Sequence, residues 1–184
     1  MLLRPLSRVL LWSLRWRAVE AHPLPDRCIL IGAPHTSNLD GFYCLLVAFT
    51  LNFRIRWVVK AELDRPVIGG LLRSLGAIFI ARGSGSAMET IERHIQGSER
   101  FCLAIAPEGT RAKGARWRTG FLHIAEAHSL PIVLGYLDFS RREGGTGPII
   151  TDVSDRAALQ DALQTFYGDI TARHPDQVSP ILLG

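Results

Sequence analysis

The sequence predicts a single α/β domain, a mixed, largely parallel sheet flanked by helices, preceded by an amphipathic N-terminal helix. Three observations predict it. Short apolar, β-branched runs recur along the chain, turn residues close each one, and helical patterns fall between them. The 184 residues suffice for one substantial core and leave little room for a second domain. An apolar share of 47% with a net charge of only +4 suits a packed globular protein and excludes a disordered chain.

The first element is the N-terminal helix, expected over residues 2–17. Wound at about 100° per residue, Leu2, Leu3, Leu6, Val9, Leu10, Leu14 and Trp16 share one broad face, and Arg4, Arg8 and Arg15 gather opposite. Arg17 lies near the apolar face. Such a helix can lie in a bilayer interface with its arginines among anionic head groups, or cover the protein's own core. It cannot span a membrane: the longest apolar stretch, residues 42–53, has 12 residues, against about 20 needed to cross the hydrocarbon. Arg15 and Arg17 also interrupt any signal-peptide pattern. The expected organisation is a membrane-surface helix over 1–20 and a folded domain over 21–184.

Residues 27–33 read as a buried strand ending at Pro34 and His35, after which Thr36 or Ser37 caps a helix to about residue 52. A strand over 54–60, a short helix over 67–75 stopped by Gly76, and a strand over 77–81 follow. Ser86 with Glu89 spells a capping box for a helix to about residue 96. A buried strand over 101–106 closes at Pro107-Glu108-Gly109, and Thr119 caps a helix through 128. Strands over 131–138 and near 148–151 precede a final helix over 155–173.

Ligands of open α/β sheets bind beyond the carboxyl ends of strands. His35, Arg82 and Glu108 all fall at such predicted ends, which points to one site. His35 and Asp40 form a His-x-x-x-x-Asp element, with histidine in the loop and aspartate in the first turn of the next helix. Folded back, the carboxylate would fix the imidazole tautomer and favour the imidazolium. The same residues also suit a plainer role, Asp40 completing a capping box with Ser37 and His35 satisfying a loop carbonyl. In Pro107-Glu108-Gly109-Thr110-Arg111 the turn amides can cradle an anion and Arg111 can grip a phosphate through its planar fork, with Arg82 as a second contact. Glu108 would order an arginine or accept from a substrate hydroxyl.

Arg111, Lys113, Arg116 and Arg118 make a second basic zone beside the arginines of the N-terminal segment. Both suit phosphates on a bilayer, a lipid head group or a nucleotide-bearing donor, and either can be a solvated face. Cys28, Cys44 and Cys102 are odd in number, lack metal-ligand spacing and read as buried apolar side chains in a reducing compartment. His123, Glu126 and His128 lack a further ligand cluster, so no metal is inferred.

Taken in order, Ala33-Pro34-His35-Thr36-Ser37-Asn38-Leu39-Asp40, Gly76 to Arg82, Ala106-Pro107-Glu108-Gly109-Thr110-Arg111 and Pro131-Ile132-Val133 resemble the four blocks of the glycerolipid acyltransferases, which include the 1-acylglycerol-3-phosphate acyltransferases. The resemblance runs from about residue 28 to 138. It implies a helix-flanked sheet, a fatty acyl group moved from a coenzyme A or acyl carrier protein thioester to a lipid hydroxyl, and no permanently bound cofactor. It makes His35 the general base and Asp40 its partner, and gives Arg82, Glu108, Gly109, Thr110 and Arg111 to acceptor binding, with Lys60 where a basic acceptor-binding residue often occurs. Pro34 replaces a frequent asparagine, Ala106 a common phenylalanine, and Leu134-Gly135 departs from the fourth block, which leaves the acceptor open.

The expected partners are a membrane lipid surface, a lysophospholipid or related acceptor and an acyl carrier protein, with no nucleic acid. The expected location is the inner face of the cytoplasmic membrane, peripherally bound. Three other functions remain compatible with these residues: N-acylation of an amino lipid, thioester hydrolysis, and lipid binding without catalysis.

Overall fold

The computed structural model describes residues 3–81 and 86–183. In chain order the elements are α1 (Leu3–Ser13), β1 (Arg17–Glu20), β2 (Arg27–Ala33), α2 (Asn38–Thr50), β3 (Ile55–Lys60), a 3-10 turn (Ala61–Leu63) and α3 (Ile68–Ser74). They continue with β4 (Ala77–Ile80), α4 (Ser86–Gln96), β5 (Phe101–Ile105), α5 (Gly120–Ala127), β6 (Ile132–Asp138), β7 (Glu143–Ile150) and α6 (Arg156–Gly168). One seven-stranded sheet runs β1-β7-β6-β2-β5-β3-β4. Only the β6–β7 hairpin is antiparallel; every other pairing is parallel.

The connections leave the sheet in two directions. From β2 through α2 to β3, and on through α3 to β4, the chain steps one way, whereas α4 and α5 carry it back to β5 and β6. Right-handed crossovers therefore put α2 and α3 on one face and α4 and α5 on the other. The larger core lies under α4, α5 and α6, where Ile95, Phe121, Leu122 and Leu163 meet Ile29, Ile31, Leu103 and Leu134 of the sheet. Each such side chain contributes about 1.5–3 kcal/mol by leaving water. The opposite face packs Leu46, Val47 and Ala48 of α2 on Cys28, Leu30, Val133 and Leu137.

Three elements differ from expectation. The N-terminal helix stops at Ser13 because Arg15 turns into the left-handed region (φ 60°), and residues 17–20 form strand β1 beside β7. β7 begins at Glu143, five residues earlier than predicted, since Gly144, Gly145 and Gly147 disguise it. They are needed there: a Cβ at Gly145 would lie 1.7 Å from the Val19 carbonyl oxygen of β1. The last helix ends at Gly168 rather than near 173, and the rest of the described chain crosses the sheet's carboxyl end as a strap.

The N-terminal helix packs in an unexpected orientation. α1 runs antiparallel along α2, with Arg4 and Ser7 bonded at Thr50 and Trp16 stacked on Tyr43 at 4.2 Å. It buries Ser7 and Leu11, and leaves Leu3, Leu6, Val9 and Trp12 exposed. Leu10, Leu11 and Trp16 join the small core over α2, while the rest of the stripe faces outward. No helix among the described residues is long and apolar enough to cross a membrane.

Candidate active site

β2 and β5 are neighbours at the centre of the sheet, yet α2 leaves β2 across one face and α5 leaves β5 across the other. A crevice opens at such a switch point beyond the carboxyl ends of the strands. His35 rises there from the loop after β2, and Glu108 from the loop after β5.

The start of α2 fixes the first arm. Ser37, in extended conformation, caps the helix by accepting from the Leu39 amide at 3.2 Å, and Asp40 Oδ2 accepts from the amides of Thr36 and Ser37, both at 2.7 Å. The same oxygen lies 3.3 Å from His35 Nδ1. That is longer than a usual N–H···O bond. Asp40 therefore completes the cap and also lies beside the imidazole. Asp40 is 3% exposed, so its orientation is set by packing and by three polar contacts on one oxygen.

The second arm reaches across to the first. Glu108, buried at 5% exposure, receives the His35 backbone N–H on both carboxylate oxygens at 3.0 and 3.2 Å. Burial pushes its pKa above the ordinary carboxylate value, and the His35 amide opposes the rise. Glu108 thus holds the main chain of the histidine, and no arginine among the described residues pairs with its carboxylate. Gly109 takes a left-handed conformation (φ 66°), and its N–H closes a turn onto the Ala106 carbonyl at 3.1 Å. A Cβ there would stand 2.5 Å from Arg118 Nε, so the missing side chain makes room for that arginine.

Arg111 bonds the side-chain carbonyl of Asn38 in the first turn of α2, linking the second arm to the first. Thr110 is exposed and accepts from the Ala112 amide at 3.2 Å. Lys60 is exposed at the carboxyl end of β3, one strand beyond β5, and makes no contact with His35. Arg82 lies outside the described residues. Among the sequence-derived candidates, then, His35, Asp40, Glu108 and Arg111 come together through direct bonds or the Asn38 bridge, whereas Lys60 stands apart. Glu126 pairs with Arg156 at 2.6 Å, which ties the α5 carboxylate to the surface.

Two neighbours of the site carried no sequence signal of their own. Asn38 sits inside the His-x-x-x-x-Asp block but holds Arg111, a relation that needs 73 residues of folding to appear. Behind Glu108, Pro34, Trp117, Tyr167 and Ile170 join the strap at Val178 and Ile181 around a cavity of about 330 Å³. Tyr167 donates to the carbonyls of Gly135 and Ile31 at 3.0 and 3.3 Å, and burial with the nearby Glu108 charge holds its phenol well above the ordinary value.

A helix-flanked sheet with these side chains at its switch point fits one protein class. The model of the Acyltransferase family matches residues 16–134, and the chain belongs to that family; it is an acyltransferase. Its fold is similar to the crystal structure of the 1-acyl-sn-glycerophosphate (LPA) acyltransferase PlsC from Thermotoga maritima, at a TM-score of 0.64 and 16% identity. That match covers 94% of this chain and 79% of the other. A search among curated proteins gave no match.

Proposed function

We propose that the chain moves a fatty acyl group from a coenzyme A or acyl carrier protein thioester to a hydroxyl of a lysophospholipid or related lipid acceptor at a membrane surface. One observation carries this reading: His35 is held from both sides, its ring by Asp40 and its amide by Glu108, at the sheet's switch point. With Nδ1 directed at a carboxylate, Nε2 is left to take a proton. The acceptor oxygen attacks the thioester carbonyl carbon as its proton passes to Nε2. The resulting oxyanion collapses, the carbon–sulfur bond breaks, and the departing thiolate takes the proton back from the imidazolium. The products are an ester and a free thiol, and no acyl-enzyme is needed.

Oxyanion stabilisation falls to the amides that the fold leaves free. Those of Thr36, Ser37 and Leu39 are engaged by side chains and that of Gly109 by a carbonyl. Among the described residues, the N–H groups of Asn38 at the start of α2 and of Thr110 and Arg111 in the second arm have no protein partner and can serve the oxyanion. Arg111 then holds the phosphate of the acceptor.

The membrane reading rests on a one-sided surface. Leu3, Leu6, Val9 and Trp12 of α1, Leu39 and Phe42 of α2, and Leu63, Val67, Ile68 and Leu71 around α3 are all exposed and belong to helices of one sheet face. Val67 is 87% exposed at φ 73°, a conformation that strains a β-branched residue. Arg4, Arg8 and Arg15 accompany the stripe and suit anionic head groups.

The test is product analysis. Purified protein receives labelled acyl thioesters with a panel of lysolipids and amino lipids on anionic vesicles, and products are identified by mass. Acylated lysolipid is expected; free fatty acid released regardless of acceptor would replace the proposal with hydrolysis, and an acylamide would replace it with N-acyl transfer.

A further inference from the structure

Past α6 the chain does not simply end against the core; it crosses both arms of the site. The His174 amide donates to Thr36 Oγ1 at 3.2 Å, in the loop that carries His35. With its amide nitrogen turned inward, the half-buried Gln177 donates to the Thr36 carbonyl at 3.1 Å and the Arg111 carbonyl at 2.9 Å. Ser179 Oγ then accepts from the Gly114 amide at 2.9 Å, and the Leu182 carbonyl from the Trp117 amide at 3.2 Å. Four of the five hydrogen bonds are to backbone of these segments. Among the described residues of the strap, Gln177 alone touches both arms.

We infer that Gln177 is a positioning residue for acyl transfer, its amide setting the separation between the general-base loop at Thr36 and the anion-binding loop at Arg111. This rests on the function proposed above. Geometry supports the role. Among the described residues, no other side chain of the strap bridges the two loops, and the carbonyls it satisfies lie, in sequence, beside the imidazole and the guanidinium that must act on one substrate. Arg111 is otherwise tied to the first arm by an exposed side-chain bond to Asn38, which a phosphate would displace. Once that bond is exchanged for substrate, Gln177 still holds the two loops in register.

The experiment replaces Gln177 with Met, which keeps length and removes both donors, and with Glu, which keeps polarity and removes the donors at neutral pH. Transfer kinetics are read with a phosphate-bearing lysolipid in the wild-type and Arg111→Ala backgrounds, beside His35→Ala. The expected result is a fall in kcat of about 10- to 100-fold, the scale of a small misplacement of reacting groups. KM for the thioester should stay unchanged and the melting temperature should remain within about 3 °C. In the Arg111→Ala background the same substitutions should cost much less, because the loop they position no longer carries its guanidinium.

Equal losses in both backgrounds, or no loss in either variant, overturn the inference. If Met unfolds the chain, the Glu variant decides. A fully active His35→Ala instead sinks the functional reading itself, so the two failures are distinguishable.

Discussion

The two arms of the site are built by different means. The His35–Asp40 arm is local: loop and first helical turn lie within residues 35–40, and one buried carboxylate serves as helix cap and ring partner together. The Glu108–Arg111 arm is a turn on the next strand, held by a left-handed glycine, a contact to the histidine's amide and the C-terminal strap. One arm is rigid by its own sequence, the other by what the rest of the chain brings to it. Loss of Asp40 should therefore damage chemistry and folding together, whereas mutations in the second arm should separate them.

The largest expected effect breaks the first arm at its reactive end. His35→Ala should lower transfer by about 10² to 10⁴, the usual contribution of a positioned base, with the circular dichroism spectrum unchanged. Wild-type rates in that variant would mean that the imidazole takes no part. Next comes the second arm's cation. Arg111→Ala should cut kcat/KM for phosphate-bearing acceptors by roughly 10- to 150-fold, since hydrogen bonds to charged groups contribute about 1.5–3 kcal/mol. An acceptor without phosphate should show little change, and an equal loss on both would place Arg111 elsewhere in the reaction.

Asp40→Ala sharpens the contrast from the side of stability. Losing the cap should cost about 0.5–2 kcal/mol in chemical denaturation alongside a loss of rate, a pairing that Arg111→Ala should not reproduce.

The smallest effect lies at Glu108, where the arms meet. Its native pKa is raised by burial, so its contribution to stability is present below the ordinary carboxylate value and is lost as pH rises through the raised one. Glu108→Gln can still accept from the His35 amide but does not titrate. The melting temperature of the wild type should consequently fall relative to this variant as pH climbs through that window; parallel curves would show that the buried carboxyl has no such linkage.

The same distinction explains what could be read in the sequence. His35 and Asp40 were legible because loop and helix cap lie side by side in the chain, where spacing translates directly into contact. Block order also marked Glu108 and Arg111, but their physical tasks were not legible. Glu108's grip on the His35 amide, 73 residues away, was not among the roles the sequence suggested. Lys60 followed the motif but stands a strand apart from the cluster. Gln177 lies in a segment expected to follow a longer helix, and nothing in Pro175-Asp176-Gln177 announces a bridge. Most strands were apparent as β-branched runs. β1 was hidden by its four mixed residues and β7 by glycines whose need arises only from the strand packed beside them.

That last contact sets how part of the N-terminal portion is held. β1 meets the sheet at its β7 edge, through a parallel pairing in which Val19 faces Gly145 with no space for a methyl group, while α1 lies along α2. His35 and Glu108 ride on β2 and β5, two and three strands further in. A single methyl introduced at position 145 would therefore strain the β1 edge of the sheet at a distance from both arms, while α1 keeps its own packing on α2.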